Sequence, residues 1–111
     1  PNYNTVIEGN DLYTTLGSGS ENAIDIKATQ GCIIRNNKMH GFHKAEDSDG
    51  VALKINKNSD DVTIEGNDIY ESNGGFRISG GETEHIIFSR NCVHDLHADE
   101  GNTSKYGYGI Q

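Results

Sequence analysis

The sequence predicts an all-β protein: a parallel β-helix, or solenoid, of about four coils held in register by an Asn ladder. Three observations lead to this fold class: an internal repeat centred on asparagine, short alternating apolar segments, and a small apolar fraction. Only 32% of the 111 residues are hydrophobic, and the formal net charge is −8. A solenoid buries a few thin columns of side chains between stacked repeats, so it needs less apolar material than a thick core does.

The repeat is the strongest signal, and four segments align without gaps on one asparagine each. They cover residues 6–13, 33–40, 63–70 and 87–94, and their aligned asparagines are Asn10, Asn37, Asn67 and Asn91. These residues recur every 24 to 30 positions. We expect the asparagines to occupy a sharp turn, where Asn tolerates unusual backbone angles, and their amides to stack about 4.8 Å apart, at the strand spacing.

Short strands with period-2 alternation flank each asparagine, as at Ile64, which points inward, and Glu65, which points outward. A further strand family lies between the repeats at residues 23–26, 52–55, 75–78 and 107–110. The predicted interior is a set of columns: Thr5, Cys32, Val62 and Ile86; Ile7, Ile34, Ile64 and Phe88; Leu12, Met39, Ile69 and Val93; then Ile24/Ile26, Leu53/Ile55, Phe76/Ile78 and Tyr108/Ile110. A small β-sandwich also shows short alternating strands, but the recurring asparagine favours the β-helix.

The repeat pattern Ile-x-x-Asn-x-[apolar]-[Tyr/His] resembles the right-handed parallel β-helix of the pectate-lyase-like superfamily over nearly the whole chain. That resemblance supplies the right hand and implies an extracellular or cell-surface location, as for a secreted bacterial protein. It leaves the activity open, because this fold hosts lyases, hydrolases, epimerases, phage tailspikes and adhesins.

The outward face of the third strand family is the predicted functional surface. One outward stripe reads Asp25, Lys54, Arg77 and Gly109, and the stripe beside it reads Ala23, Ala52, Gly75 and Gly107. The charged stripe is either a solvated ladder of favourable neighbours or a binding strip. In the second interpretation the small residues form a flat floor for an extended sugar chain, walled by long loops that include the His43 segment. Lys54 and Arg77 then face its carboxylates.

Two lyase families show partial similarity around Lys54. Asp49-Gly50-Val51-Ala52-Leu53-Lys54 resembles the stretch that carries the base in pectate lyase family nine, which implies Lys54 as base. Lys27, Lys54 and the segment Gly74-Gly75-Phe76-Arg77-Ile78 are similar to the Lys and Arg pair of the chondroitinase B/alginate lyase group, polysaccharide lyase family six. The resemblance implies β-elimination on an acidic polysaccharide. Its candidate catalytic residues are Lys54, Arg77 and Lys27, and its candidate substrate-binding residues are Asp25, Ala52, Gly75 and His43.

Such an elimination needs a neutral base and a group that stabilises the enolate-like anion. Arg77 beside Lys54 favours the neutral amine, whereas Asp25 one coil away favours the charged form. Two alternatives from other classes therefore stay open: a non-catalytic carbohydrate-binding β-helix, and a structural or adhesive surface module.

An acidic loop is the candidate metal site. Glu46, Asp47 and Asp49 crowd one loop and offer the hard oxygen ligands that Ca²⁺ prefers. The loop lacks the spacing of an EF-hand, and an acidic loop is more often solvated surface. His40-x-x-His43 and His94-x-x-His97 repeat a pattern that zinc sites use. Because Tyr13 and Tyr70 align with His40 and His94, however, we expect this column to be a packing ladder.

The remaining expectations concern cysteines, partners and boundaries. Cys32 falls on an inward position and Cys92 on an outward one two coils away, so both should be reduced. The negative charge argues against a nucleic-acid partner, and no run approaches the ~20 apolar residues of a membrane span. Residues 1–111 read as one segment of a longer β-helix, with end-to-end stacking on other coils or subunits, because solenoid ends require covering.

Overall fold

A computed structural model describes residues 2–15, 20–43, 50–96 and 108–111. Every regular element in these ranges is a β-strand, and none of the described residues forms a helix that is long and apolar enough to cross a membrane. The strands are β1 (Asn2–Tyr3), β2 (Val6–Glu8), β3 (Asp11–Tyr13), β4 (Ile24–Ile26), β5 (Thr29–Gln30), β6 (Ile33–Arg35), β7 (Lys38–His40), β8 (Val51–Ile55), β9 (Asp60–Glu65), β10 (Asp68–Tyr70), β11 (Gly74–Ile78), β12 (Glu84–Ser89) and β13 (Cys92–His94).

The strands stack into three parallel sheets. Sheet A contains β1, β2, β5, β6, β9 and β12; sheet B has the order β13-β10-β7-β3; sheet C has the order β11-β8-β4. The first coil therefore runs from β1 to β4, the second from β5 to β8, the third from β9 to β11, and the fourth through β12 and β13 to a bridge between Ile110 and Phe76. Each strand pairs with its equivalent one coil away, which confirms the predicted parallel β-helix.

The interior consists of the predicted columns on sheets A and B. Ile34 and Ile64 on sheet A, and Met39 and Ile69 on sheet B, are all 0% exposed. In the first and fourth coils the same columns are half-buried, as at Ile7. Phe76 of sheet C stacks on Phe88 of sheet A with ring centroids 4.6 Å apart, so a pair of aromatic rings joins the two sheets. The small apolar content is sufficient because the inward side chains of each coil are covered by those of the coils above and below it.

The Asn ladder is present at the turn between sheets A and B. The Oδ1 atom of Asn67 accepts from the backbone N–H and from the Nδ2 of Asn37, at 3.0 and 3.1 Å. Asn37 and Asn67 are 1% and 2% exposed, so these bonds are shielded from water. The Nδ2 atoms of Asn37, Asn67 and Asn91 also donate to a strand carbonyl one coil earlier, which for Asn67 is that of Ile34. The ladder thus satisfies backbone groups that the turn would otherwise bury unpaired.

The unusual backbone angle of this turn belongs to the residue before each ladder asparagine, which corrects the expectation that the asparagine adopts it. Gly9, Asn36, Gly66 and Arg90 have φ values of 70°, 56°, 67° and 54°. The left-handed residue bends the chain from sheet A into sheet B, and the asparagine that follows meets its equivalent in the next coil through hydrogen bonds.

Candidate functional site

The outer face of sheet C carries the charged column that the sequence predicts. Asp25 of β4 pairs with Lys54 of β8, and Lys54 pairs with Arg77 of β11. Asp25 is exposed, and Lys54 and Arg77 are half-buried. Parallel strands lie about 4.8 Å apart, so the amine of Lys54 and the guanidinium of Arg77 leave the sheet from adjacent positions.

The fourth member of this column is Gln111. The prediction that Gly109 occupies this position is wrong. The bridge between Phe76 and Ile110 shifts the last segment by two residues, so Gly109 lies beside Gly75 and Gln111 beside Arg77. The donor–acceptor distance from Phe76 N–H to the Gly109 carbonyl is 2.8 Å. This register places the Gly109 backbone against Gly75, where a Cβ on Gly75 would have no room.

Ala52 and Gly75 do not form an outward floor, and this part of the prediction is wrong. Ala52 is 0% exposed and belongs to the hydrophobic core. A Cβ on Gly75 would lie 2.7 Å from Val93 Cγ1 and 2.5 Å from the Gly109 carbonyl oxygen. Both residues therefore point inward at the corner where the chain enters sheet C. They are small because sheet B passes close by, and neither has the surface to contact a sugar.

A polar network borders the charged column two residues further along the chain, directly after the ends of β8 and β11. Ser79 Oγ donates to Asn56 Oδ1 at 2.8 Å, and Asn56 Nδ2 donates to the carboxylate of Asp25. Asp25 is thus held by Asn56, in the next coil, and forms no ion pair with Lys54 in the described part of the chain. Sequence reasoning missed this network, whose only signal is a polar residue directly after each apolar strand end.

Lys27 and His43 lie outside the charged column. Lys27 follows β4 and is exposed, two residues beyond Asp25, which is the residue that pairs with Lys54. Lys27 therefore does not occupy the position of Lys54 one coil earlier, as the similarity implied. His43 is half-buried and follows Phe42, whose carbonyl accepts from the Asn73 backbone N–H in the next coil.

An open cleft of about 260 Å³ adjoins the start of sheet C. Asp11, Tyr13, Asn22, Ala23 and Phe42 are among its lining residues. Ala23 is two residues before Asp25, so the cleft lies beside the charged column and does not enclose Lys54. Glu46, Asp47 and Asp49, the expected Ca²⁺ ligands, lie outside the described residues.

A second outward face, on sheet B, carries a stack of rings. Tyr13, His40, Tyr70 and His94 are stacked with centroid separations of 5.3, 4.6 and 5.2 Å. This confirms the predicted packing ladder. The His40 and His94 rings each meet a carboxylate of the preceding coil: Nε2 of His40 lies 2.7 Å from Asp11 Oδ1, and Nε2 of His94 lies 2.7 Å from Asp68 Oδ1.

Two side chains on this face, His94 and Tyr70, have raised pKa values. Hydrogen bonds in which the carboxylates of Asp95 and Asp68 accept from the His94 ring raise the pKa of His94. Partial desolvation, together with the charges of nearby acids, raises the pKa of Tyr70. On sheet A, His85 Nδ1 lies 2.7 Å from Asp60 Oδ1, and that contact raises the pKa of His85.

The two cysteines are free, as the sequence predicts. Cys32 is buried in the core, and burial raises the pKa of its thiol. Cys92 is exposed on sheet B, where it pairs with Asp68. The carboxylate of Asp68, the thiol of Cys92 and the imidazole of His94 have ligand atoms within 4.8 Å of one another. Sequence reasoning missed this cluster because Asp68 comes from the preceding coil.

Comparisons with known proteins agree with this architecture. The comparison with curated proteins and the comparison with solved structures each give no significant match. The profile of the family described as "Right handed beta helix region" matches residues 1–111, the whole of the chain. The parallel pairing of the strands in three sheets agrees with this match, and the chain belongs to the right-handed β-helix family.

Proposed function

We propose that this β-helix binds an acidic polysaccharide across the outer face of sheet C and cleaves it by β-elimination. The observation that carries the proposal is the pairing of Lys54 with Arg77 on adjacent strands. In a chain with a net charge of −8, two neighbouring cations on one rigid sheet form a distinct site for an anionic ligand.

Each cation has a role that fits its chemistry. The planar guanidinium of Arg77 binds a uronate carboxylate in bidentate fashion and stabilises the anion that forms. The amine of Lys54, when neutral, takes the proton from the carbon next to that carboxylate. The electron pair of that C–H bond forms the new carbon–carbon double bond, the glycosidic C–O bond breaks, and the leaving oxygen takes a proton from the Lys54 ammonium group or from water.

Local order supports these roles. β8 and β11 pair over their whole described length, and the polar chain from Ser79 through Asn56 to Asp25 holds the neighbouring carboxylate. Asp25 is bound by Asn56, and the two cations of the column lie in the second and third coils. The strand pairing fixes the backbone that carries Lys54 and Arg77, so this part of the site needs no rearrangement when a ligand binds.

Binding without turnover is the second candidate function. It is favoured by the position of the described cleft, which lies beside Ala23 and leaves Lys54 on an open surface. Catalytic sites are usually enclosed, whereas a flat charged strip is sufficient for binding.

One assay series separates these functions. The purified chain is incubated with pectate, alginate and chondroitin, and the ultraviolet absorbance of the unsaturated uronate is recorded. We expect product with one of the three, a loss of at least 100-fold in Lys54→Ala and in Arg77→Ala, and little change in Lys57→Ala. Lys57 is the matched control because it is an exposed cation in the turn that follows β8.

Affinity electrophoresis in gels that contain each glycan provides the second readout. Retardation that requires Lys54 and Arg77, without ultraviolet product, assigns the surface to binding alone. Product that survives the double substitution refutes the site, and the absence of both product and retardation with all three glycans refutes the proposal.

A further inference from the structure

We propose that Asp68, Cys92 and His94 form a zinc site that fastens the fourth coil to the third. The three side chains lie on the outer face of sheet B, with Asp68 on β10 and the other two on β13. Their ligand atoms already lie within 4.8 Å of one another. The site is independent of the charged column on sheet C.

The strand register brings the three ligands together. Cys92 pairs with Asp68 across the sheet, and His94 is two residues after Cys92, so both side chains of β13 leave the same face. Nε2 of His94 reaches back 2.7 Å to Asp68 Oδ1. The His94 ring is fixed further by stacking on Tyr70, with centroids 5.2 Å apart.

A second, independent feature supports a metal at this place. Nδ1 of His94 lies 2.8 Å from Asp95 Oδ2. In metal sites the ligating histidine almost always donates its other ring N–H to a carboxylate, which fixes the tautomer and the ring orientation. Asp95 is placed to accept from Nδ1, and Nε2 then faces Asp68 and Cys92 as a ligand.

The donor set selects the metal. One thiolate, one imidazole and one carboxylate suit Zn²⁺, whereas Ca²⁺ and Mg²⁺ prefer oxygen ligands alone. Zinc bonds of about 2.0–2.3 Å require the ligand atoms to approach to about 3–4 Å of one another, which side-chain rotation of Cys92 supplies. The thiol releases its proton to solvent as the metal binds. Because Cys92 is exposed, the fourth position is open to water.

The first and second coils offer an internal control for this site. Asp11, Lys38 and His40 occupy the positions of Asp68, Cys92 and His94, with the same 2.7 Å contact between Nε2 and the carboxylate. Lys38 replaces the thiol there with a cation that binds no metal. His40→Gln and His94→Gln therefore each remove one ring from the same stack, but only His94→Gln removes a proposed ligand.

The test is a titration of the reduced, metal-free chain with Co²⁺, followed by displacement with Zn²⁺. We expect one ion per chain, a thiolate-to-cobalt charge-transfer band in the near ultraviolet, and loss of that band when zinc is added. The band should disappear in Cys92→Ser, affinity should fall at least 10-fold in His94→Gln, and His40→Gln should match the unaltered chain. Asp95→Asn should weaken binding about 10-fold or more while keeping the band.

Three results would overturn the site: no charge-transfer band in the unaltered chain, equal weakening in His40→Gln and His94→Gln, or a stoichiometry of one ion to two chains. Thermal unfolding gives a readout without cobalt. Zinc should raise the Tm of the unaltered chain and of His40→Gln, and leave that of Cys92→Ser unchanged; an equal rise in all three refutes the site.

Discussion

Replacing Asn67 with alanine tests how much of the stability of the β-helix comes from its ladder. Asn67 is 2% exposed, and its amide serves the coils on both sides. Its Nδ2 donates to the Ile34 carbonyl and to Asn91 Oδ1, and its Oδ1 accepts from the backbone N–H of Asn37. Alanine fits the backbone, because Asn67 is not among the residues with positive φ.

The magnitude follows from the groups that lose their partners. The Asn37 N–H becomes unpaired inside the stack, and a buried unpaired group costs about 1–3 kcal/mol. The Ile34 carbonyl lies within the β6–β9 ladder and loses one hydrogen bond, which is worth about 1 kcal/mol. We therefore expect Asn67→Ala to lower the free energy of unfolding by about 2–4 kcal/mol. Asn10 is the control: it is exposed at the first turn, and its amide donates to Asn37 Oδ1 and to the Glu8 carbonyl. Asn10→Ala should cost less than about 1 kcal/mol.

Urea unfolding monitored by far-ultraviolet circular dichroism measures both variants, with the slope m checked for constancy. A loss in Asn67→Ala no larger than that in Asn10→Ala would show that the ladder follows from strand stacking and does not support it.

Two further predictions concern glycine and histidine. Gly75→Ala should lower the free energy of unfolding by about 1–3 kcal/mol, because the new Cβ meets the Gly109 carbonyl oxygen at 2.5 Å, whereas Gly81→Ala, with nothing within 4 Å, should be nearly neutral in urea unfolding. Equal effects would refute the close packing at that corner. His85 has a raised pKa through Asp60, with Asp61 and Glu84 adding charge. Its stabilisation is complete below the unfolded pKa of about 6.5 and is lost as pH rises through the folded value. His85→Ala should therefore cost more stability near pH 5.5 than near pH 8.5; a cost that does not depend on pH refutes the ion pair.

The sequence predicts those parts of the fold that repeat. The asparagine positions, the inward columns of sheets A and B, and the stack from Tyr13 to His94 all follow from one gapless alignment, because equivalent residues of a parallel solenoid lie one above another. Nothing beyond the spacing of the asparagines is needed to place them.

At the corner where the chain enters sheet C, the predicted direction of the side chains is wrong. Period-2 alternation directs Ala52 outward because Leu53 points inward, yet both are buried. Alternation holds along a strand and does not hold where the chain bends. The predicted register of the last segment fails at the same corner. Aligning residues 107–110 with residues 75–78 places Gly109 beside Arg77, whereas in the structure Gly109 lies beside Gly75, where there is no space for a Cβ on Gly75.

The candidate sites could be predicted only in part for a related reason. Lys54 and Arg77 stand at equivalent positions of two repeats, so the alignment pairs them. Asn56 and Asp25 meet on a diagonal between coils, as do His94 and Asp68. Diagonal contacts depend on the length and the rotamer of each side chain, and an alignment of repeats contains no information about rotamers.

The pairing of each strand with its equivalent one coil away also determines how the chain assembles. The ladder bonds join residues 27, 30 and 24 positions apart. Because loop closure entropy grows only with the logarithm of length, closing the shortest and the longest of these loops differs by about 0.2 kcal/mol. No coil is therefore favoured as the starting point by chain entropy, and side-chain content decides. The second and third coils hold the fully buried columns. We therefore expect folding to start there and to spread to both ends, and the backbone amides of β8 to β10 to exchange with solvent last.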